Sequence, residues 1–441
     1  MTVDPVAASA LMRQVPLDAL KEPFYVGSVQ RLYAIPDEPD YMITETTAGG
    51  SVFDVGTIFS IDGSDVARAT FRHVFYSSLA KPETWQAVEA AINADREMPG
   101  SLREQLLNGI LPRLVESGAK THHEGMVDAV NGKVATDGLP ENDSPFNIVR
   151  RYTIKKPEPA RFFGQRVFDY TGYEGADRYV VPLECIVRFG VTSSSSVFKK
   201  YAKLSDPERR KFESELGAAK PLEAWQYLAA PIVDFTSKYE PEDRAVTKQE
   251  ALNMSGLDAA KFAEMGELAV LGAWALRVIV ESMGLQLWDL KWEFASDGED
   301  LVFVDTIDTD SFRATAVLED AGDRFAIHYN KQAMRDYYRI AHSEWLDAVN
   351  GAKAEANAAG TPFVEILRAA QDSGAAPADP RVEAEFIAIQ EDKMAAVKDA
   401  ILGRRNGSEV REALEACGRR ELAYYFGRGH REALKQINGI D

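Results

Sequence analysis

Short runs of alternating apolar and polar residues fill positions 24 to 80, where FYVGSVQRLYAI, YMITETT and SVFDVGTIFSI predict strands broken at Gly49-Gly50 and Asp62-Gly63. Between 83 and 118 the period lengthens to that of a helix, with Trp85, Val88, Ala91 and Ile92 on one stripe and Leu106, Ile110 and Leu114 on another. The stretch NGKVATDGLPENDSP, residues 131–145, carries turn formers and little apolar pattern, and predicts a long loop and a boundary. Strands resume in FNIVRRYTIKK, RFFGQRVFDYTGY and DRYVVPLECIVRFGV. The clearest helix covers 257–283, with Leu257, Phe262, Met265, Leu268, Leu271, Leu276 and Val280 on its buried face and Gly284 at its end. A hairpin follows, in which LQLWDLKWEF and LVFVDTID alternate on either side of the turn SDGED. Beyond residue 345 the chain is rich in Ala, Glu and Lys, and 382–403 and 408–437 read as helices.

The 441 residues exceed one ordinary domain, so two lobes with an appendage are expected. Composition leaves the fold class open. The 69 acidic against 50 basic residues give a formal charge of -19, which argues against nucleic acid and against anionic membranes as partners. An anionic small molecule needs a local gathering of Lys and Arg. Cys185 and Cys417 stand far apart, which gives neither a disulfide framework nor a cysteine metal site and fits a reducing compartment. The first residues lack an export signal and no apolar run reaches the length of a membrane span, so a cytoplasmic protein is expected.

The hairpin carries the candidate chemistry. Residues two apart in a strand share a face, so Asp289, Lys291 and Glu293 point the same way, while Trp288, Leu290, Trp292 and Phe294 mark the packed side. Folding about Asp297-Gly298 brings Asp305 roughly level with Glu293, and two carboxylates at that spacing can clamp Mg²⁺, whose other positions are filled by water and phosphate oxygens. The same pattern also fits a solvated charge network in which Lys291 pairs with its neighbours. Arg313, Lys331 and Arg335 recur close by in sequence, and Arg188 and Lys199-Lys200 bracket the serine run 193–196, whose hydroxyls at a strand exit can donate to an anion. His122-His123 shows no metal-ligand spacing, and Cys185 reads as a buried small hydrophobe.

Seven segments in order resemble the SAICAR synthetase family over residues 24–338: YVGSVQRLY, SVFDVG, PLECIVR, PIVDFTSK, LWDLKWEF, VFVDTIDTDSFR and NKQAMRD. The resemblance implies an α+β fold of two lobes, built of antiparallel sheets with flanking helices and holding ATP between them, and the chain adds a helical C-terminal appendage. The expected divisions are 1–150 for a β-rich nucleotide lobe with a helical insertion, 151–345 for a substrate and ATP lobe, and 346–441 for the extension. It implies a ligase that activates a carboxylate as an acyl phosphate for attack by the amine of aspartate or a similar amino acid, the carboxylate belonging to an imidazole ribonucleotide. By resemblance, Gly27, Ser28, Gln30, Arg31, Lys238 and Glu293 would contact ATP, and Glu293 and Asp305 would hold Mg²⁺. Asp289, Lys291, Arg188 and Arg313 would line the reacting centre. Asp54, Arg188, Ser195, Ser196, Asp310, Ser311, Arg313, Lys331 and Arg335 would bind substrate.

The chain departs from the family in several places. Ser28 and Gln30 stand where lysines are usual, Asp62-Gly63-Ser64-Asp65 replaces a Gly-Lys-Gly loop, FGVTSSSS is longer than the matching run, and Phe312 adds apolar bulk beside Arg313. A ligase with another carboxylate substrate, a small-molecule kinase and an inactive nucleotide-binding protein therefore stand as alternatives. The C-terminal helices offer an oligomer contact, a lid or packing on the second lobe.

Overall fold

The computed structural model describes residues 14–440 apart from 217, 219, 241, 242, 360 and 361; segment 1–13, read above for an export signal, lies outside them. Two antiparallel sheets organise the chain. The first has six strands in the order Tyr25–Val26, Gln30–Ile35, Glu38–Thr46, Phe146–Arg150, His123–Val127 and Val134–Ala135. The loop 131–145 is thus an excursion within this sheet, since Phe146–Arg150 returns to pair with Glu38–Thr46. The second sheet runs Ala245–Val246, Gln226–Ser237, Leu183–Val191, Gln286–Ser296, Phe312–Asp320, Asp323–His328 and Gly439–Ile440, and Tyr179–Val180 and Leu301–Val304 also pair with Gln286–Ser296.

Strand Gln286–Ser296 is central because both of its faces are specified. Trp288, Leu290, Trp292 and Phe294 are buried and the strand packs on helix Ala259–Ser282, where the Trp292 indole donates to the Ala269 carbonyl at 3.1 Å. That helix starts at Asp258, whose side chain caps the Lys261 amide at 2.8 Å, and ends before Gly284 in the left-handed conformation. The other face of the strand is charged.

The expectation of strands up to residue 80 fails at Ser64–Leu79, which is a helix. Its core stripe is Ala67, Phe71, Phe75 and Leu79, spaced by four, while Arg68, Arg72, His73 and Tyr76 are buried as well. Those polar residues interrupt the apolar period that would have announced it. Gly49-Gly50, expected as a break, lies in strand Gly49–Ser51, paired with Thr57–Ser60. A Cβ on Gly50 would lie 1.9 Å from the Phe59 ring, so glycine is required there by close packing. The predicted strand over 301–308 stops at Val304. Phe312, expected to crowd the cleft, faces the core with its ring 5.6 Å from that of Phe71, because strand alternation turns it away from Arg313.

The C-terminal region is helical, and its packing joins both halves of the molecule. Helix Ala384–Ile401 lies on Ser64–Leu79, and Gly407–Gly427 lies on Ala384–Ile401 and on strand Phe312–Asp320. Lys393 and Glu421 form a buried ion pair between these two helices, and Lys393 also donates to the His328 carbonyl at 2.7 Å. A buried pair of this kind needs such extra partners to offset desolvation. No helix among the described residues is long and apolar enough to cross a membrane.

Candidate active site

Register builds the site. Asp289 faces Arg188 on one neighbouring strand and Arg313 on the other, so three charges stand in one row across three strands. Arg188 donates from Nη1 to Asp289 Oδ2 at 3.2 Å and from Nε to Asp234 Oδ2 at 2.7 Å, and Arg313 Nε lies 3.3 Å from Asp289 Oδ1. One carboxylate thus aligns two guanidinium groups. Their remaining donors reach the serine run: Arg188 Nη2 to Ser196 Oγ at 3.2 Å, and Arg313 Nη1 to Thr192 Oγ1 at 2.9 Å and Ser194 Oγ at 3.2 Å. Ser195 starts helix Ser196–Tyr201, and its hydroxyl is buried without a partner.

Further along the same face stands a second cluster. Lys291 pairs with Glu184 and lies 3.8 Å from Glu293 Oε1, and Lys238 pairs with Glu293 and lies 4.0 Å from Asp305 Oδ2. The ladder pairs Glu293 with Val304, so Asp305 sits one residue beyond the last pair, with φ at +63°. That left-handed turn brings its carboxyl into hydrogen-bonding contact with Glu293. Burial first, then the Asp305 charge, push the Glu293 carboxyl up to about 8. Burial opposes ionisation of Asp305 as well, but Lys238 and the bond with Glu293 hold it below the usual carboxylate range. Two carboxylates brought together, Glu293 buried and Asp305 part-exposed, offer hard oxygen donors that fit a hard cation, which would relieve their mutual repulsion. Among the described residues no group of three or more His, Cys, Asp or Glu can hold a metal, so the pair would need water and phosphate oxygens to complete the shell.

The strained turn is held from behind by Tyr76 and by His122, for which the sequence suggested no role at the site. The Tyr76 hydroxyl donates to the carbonyls of Val304 and Asp305, both at 3.0 Å, and His122 Nε2 lies 3.1 Å from the Asp305 carbonyl. Burial lowers His122 to about 4, which keeps it neutral, with its Nε2 proton on that carbonyl. His123 Nε2 stands 2.8 Å from His73 Nδ1, and His73 Nε2 is 2.6 Å from the Gly138 carbonyl. Arg72 pairs with Asp308, which also receives Arg68 Nε at 3.5 Å, and Asp308 accepts the Asp310 amide at 2.7 Å. These bonds shape the loop 305–311, where Ser311 Oγ donates to the Thr306 carbonyl at 2.8 Å.

A cationic wall completes the arrangement. Lys199, Arg335 and Lys331 are each pushed down by burial, and neighbouring guanidinium groups add to it: Arg339, Arg313 and Arg335 on Lys199, Arg313 and Arg339 on Arg335, and Arg335 and Arg68 on Lys331. Like charges gathered in a protein of charge -19 call for an anionic ligand. Lys331, Asp310, Arg68, Ser64 and Gly50 line one pocket with Gln390 of the C-terminal region.

The structure therefore brings together Arg188, Asp289, Lys291, Glu293, Lys238, Asp305, Arg313 and Ser196, with Asp310, Ser311, Lys331 and Arg335 beside them. The glycine hairpin stands apart from these contacts. Gly27 closes its turn by donating to the Gln30 carbonyl at 2.8 Å, the Ser28 carbonyl accepts from Thr57 at 3.1 Å, and Arg31 reaches Glu45 at 3.4 Å. Asp54 pairs at 2.6 Å with Lys353 of helix Ser343–Ala359.

Residues 175–351 match a family model described as SAICAR synthetase. A putative phosphoribosylaminoimidazole-succinocarboxamide synthase of Archaeoglobus fulgidus is 31% identical over 246 residues, 55% of this chain and 66% of that protein. The phosphoribosylaminoimidazole-succinocarboxamide synthase of Streptomyces coelicolor is 31% identical over 169 residues, 38% of this chain and 53% of its own length. The chain thus spans between about half and two thirds of these curated relatives. The SAICAR synthase of Saccharomyces cerevisiae, solved with SAICAR, covers 89% of this chain and 98% of its own at 17% identity, with a TM-score of 0.49.

Proposed function

The chain belongs to the SAICAR synthetase family, and we propose that it is an ATP-dependent carbon–nitrogen ligase of purine biosynthesis that joins aspartate to the carboxylate of an imidazole ribonucleotide. The observation that carries this reading is the shared face of strand Gln286–Ser296, where a cation-ready carboxyl pair and a row of anion-binding arginines stand on one strand. Magnesium nucleotide, when bound, supplies the phosphoryl group that turns a carboxylate oxygen into a leaving group. Glu293 and Asp305 hold the metal, and Lys238 and Lys291 offset charge beside it. Arg188 and Arg313, aligned by Asp289, hold the substrate's anionic groups, and Lys331 and Arg335 extend that surface. Asp310, Ser311, Ser195 and Ser196 border it, and Asp54 stands at its rim.

The test is direct: the protein, Mg-ATP, aspartate and carboxyaminoimidazole ribotide are expected to give ADP and the succinyl adduct in equal amounts. Absence of both would sink the reading. A ligase for another carboxylate is the second reading, favoured by the lengthened run FGVTSSSS, whose hydroxyls stand on Arg188 and Arg313. It would be recognised by ADP release with a different acid and amine.

The support behind the metal pair makes its own prediction. Tyr76→Phe removes the donor to both carbonyls of the Asp305 turn. It is expected to raise the Mg²⁺ concentration for half-maximal activity by about 10-fold, the scale of outer-shell effects on metal sites, while turnover at saturating Mg²⁺ stays close to wild type. An unchanged Mg²⁺ dependence would show that the turn holds itself.

A further inference from the structure

We infer that Ile437 and Asn438, at the end of the C-terminal helix Arg431–Asn438, clamp together the two walls of the anion-binding cleft and so set the affinity of a site they do not line. The inference rests on the ribotide reading above for its kinetic test, and on geometry for the rest.

One wall is the turn 192–196, whose Thr192, Ser194 and Ser196 hydroxyls meet Arg313 and Arg188. Ser193 turns away from the arginines, and its Oγ donates to the Ile437 carbonyl at 2.6 Å. That carbonyl lies in the last turn of its helix, where main-chain acceptors lack an intrahelical partner. The other wall is helix Gln332–Ala341, which carries Arg335 and Arg339. Its buried Asp336 accepts from Asn438 Nδ2 on Oδ2 at 3.0 Å, and from Gln332 Nε2 and Arg339 Nη1 on Oδ1 at 2.7 and 2.9 Å. Consecutive residues of one helix end therefore hold one anchor in each wall.

The anchor point is itself fixed. Gly439–Ile440 pairs with Arg324 and Phe325 at the sheet edge, and Leu434 is fully buried. Arg431 and Lys435 reach Asp323 at 2.9 and 2.6 Å. A Cβ on Gly439 would lie 2.4 Å from the Lys435 carbonyl oxygen, so the chain can turn from helix to strand here only with glycine. A fixed base bonded to both elements restricts both of them, which lowers the ordering cost of binding an anion between them.

The test uses the full chain with Ser193→Ala and Asn438→Ala. Each is expected to raise KM for carboxyaminoimidazole ribotide by about 10-fold with kcat and KM for ATP within about 2-fold, and the double variant to fall short of the product of the two. Ser193→Thr, which keeps the hydroxyl, is expected to restore the wild-type KM. An unchanged ribotide KM in both single variants, or a common change in ribotide KM, ATP KM and kcat tracking a lowered Tm, would overturn the clamp. Hydrogen exchange without ligand gives a second readout: either single variant should speed amide exchange in both 192–201 and 332–339. Faster exchange confined to the mutated wall would also overturn it. If the wild type neither binds nor turns over the ribotide, the functional reading fails, and the exchange experiment still decides the clamp.

Discussion

Glu293→Gln is expected to lower turnover by about 10³-fold, and Asp305→Asn to act similarly, because each removes one of the two anionic oxygens that hold the nucleotide's metal. The glutamine variant should remain folded. Burial and Asp305 already press the Glu293 carboxyl toward its protonated form, so the neutral amide resembles the state the metal-free site favours. Unfolding stability within about 1 kcal/mol of wild type is the control that separates chemistry from folding. A kcat within about 3-fold of wild type would remove the pair from the mechanism. The two substitutions together should cost little more than either alone, since a single cation is lost in both cases.

The largest effect on stability is expected at Asp308→Asn. Asp308 is fully buried and receives Arg72 and Arg68, whose side chains are 4% and 5% exposed. Removing its charge leaves buried Arg72 without a counterion and Arg68 with only the part-exposed Asp310, 3.5 Å away, which should cost about 3 to 5 kcal/mol in urea unfolding. The pH dependence carries a sign. Burial opposes ionisation of Asp308, but Arg72 and Arg68 outweigh it and lower the folded pKa. Its contribution is therefore complete above the unfolded carboxyl value of about 3.9 and disappears as pH falls through the folded value. The wild type should lose this part of its stability on acidification, and the variant, having lost it already, should show a shallower acid limb. A cost below about 1 kcal/mol at neutral pH would mean that water or Thr46, which accepts from Arg72 Nη1 at 3.0 Å, carries the arginines instead.

How much of this was legible in the sequence depends on the distance between partners. The strand LQLWDLKWEF could be read because its period of two and the turn SDGED are local, and its charged face followed from alternation alone. What alternation cannot give is register between strands a hundred residues apart. The row Arg188, Asp289, Arg313 depends on the pairing of three segments, and Glu184, Asp234 and Lys238 join it only through that pairing. Parity also decides Phe312: one position from Arg313, it belongs to the core. The helix Ser64–Leu79 was obscured for another reason. A buried helix that carries Arg68, Arg72, His73 and Tyr76 inward has polar residues where a hydrophobic stripe is sought, so the residues that brace the site are the ones that hide the element. The spacing Ala67, Phe71, Phe75, Leu79 was the available signal.

The contact between helices Ser64–Leu79 and Ala384–Ile401 has a consequence for how the protein is made. The first helix leaves the ribosome long before the second exists, and at ordinary elongation rates the interval is on the order of tens of seconds. Throughout that time the surface of Ser64–Leu79 that will receive Ala384–Ile401 is uncovered, and the far edge of the second sheet lacks Gly439–Ile440. Surface left open in this way is prone to aggregate during translation, and final closure waits for the last helices to emerge.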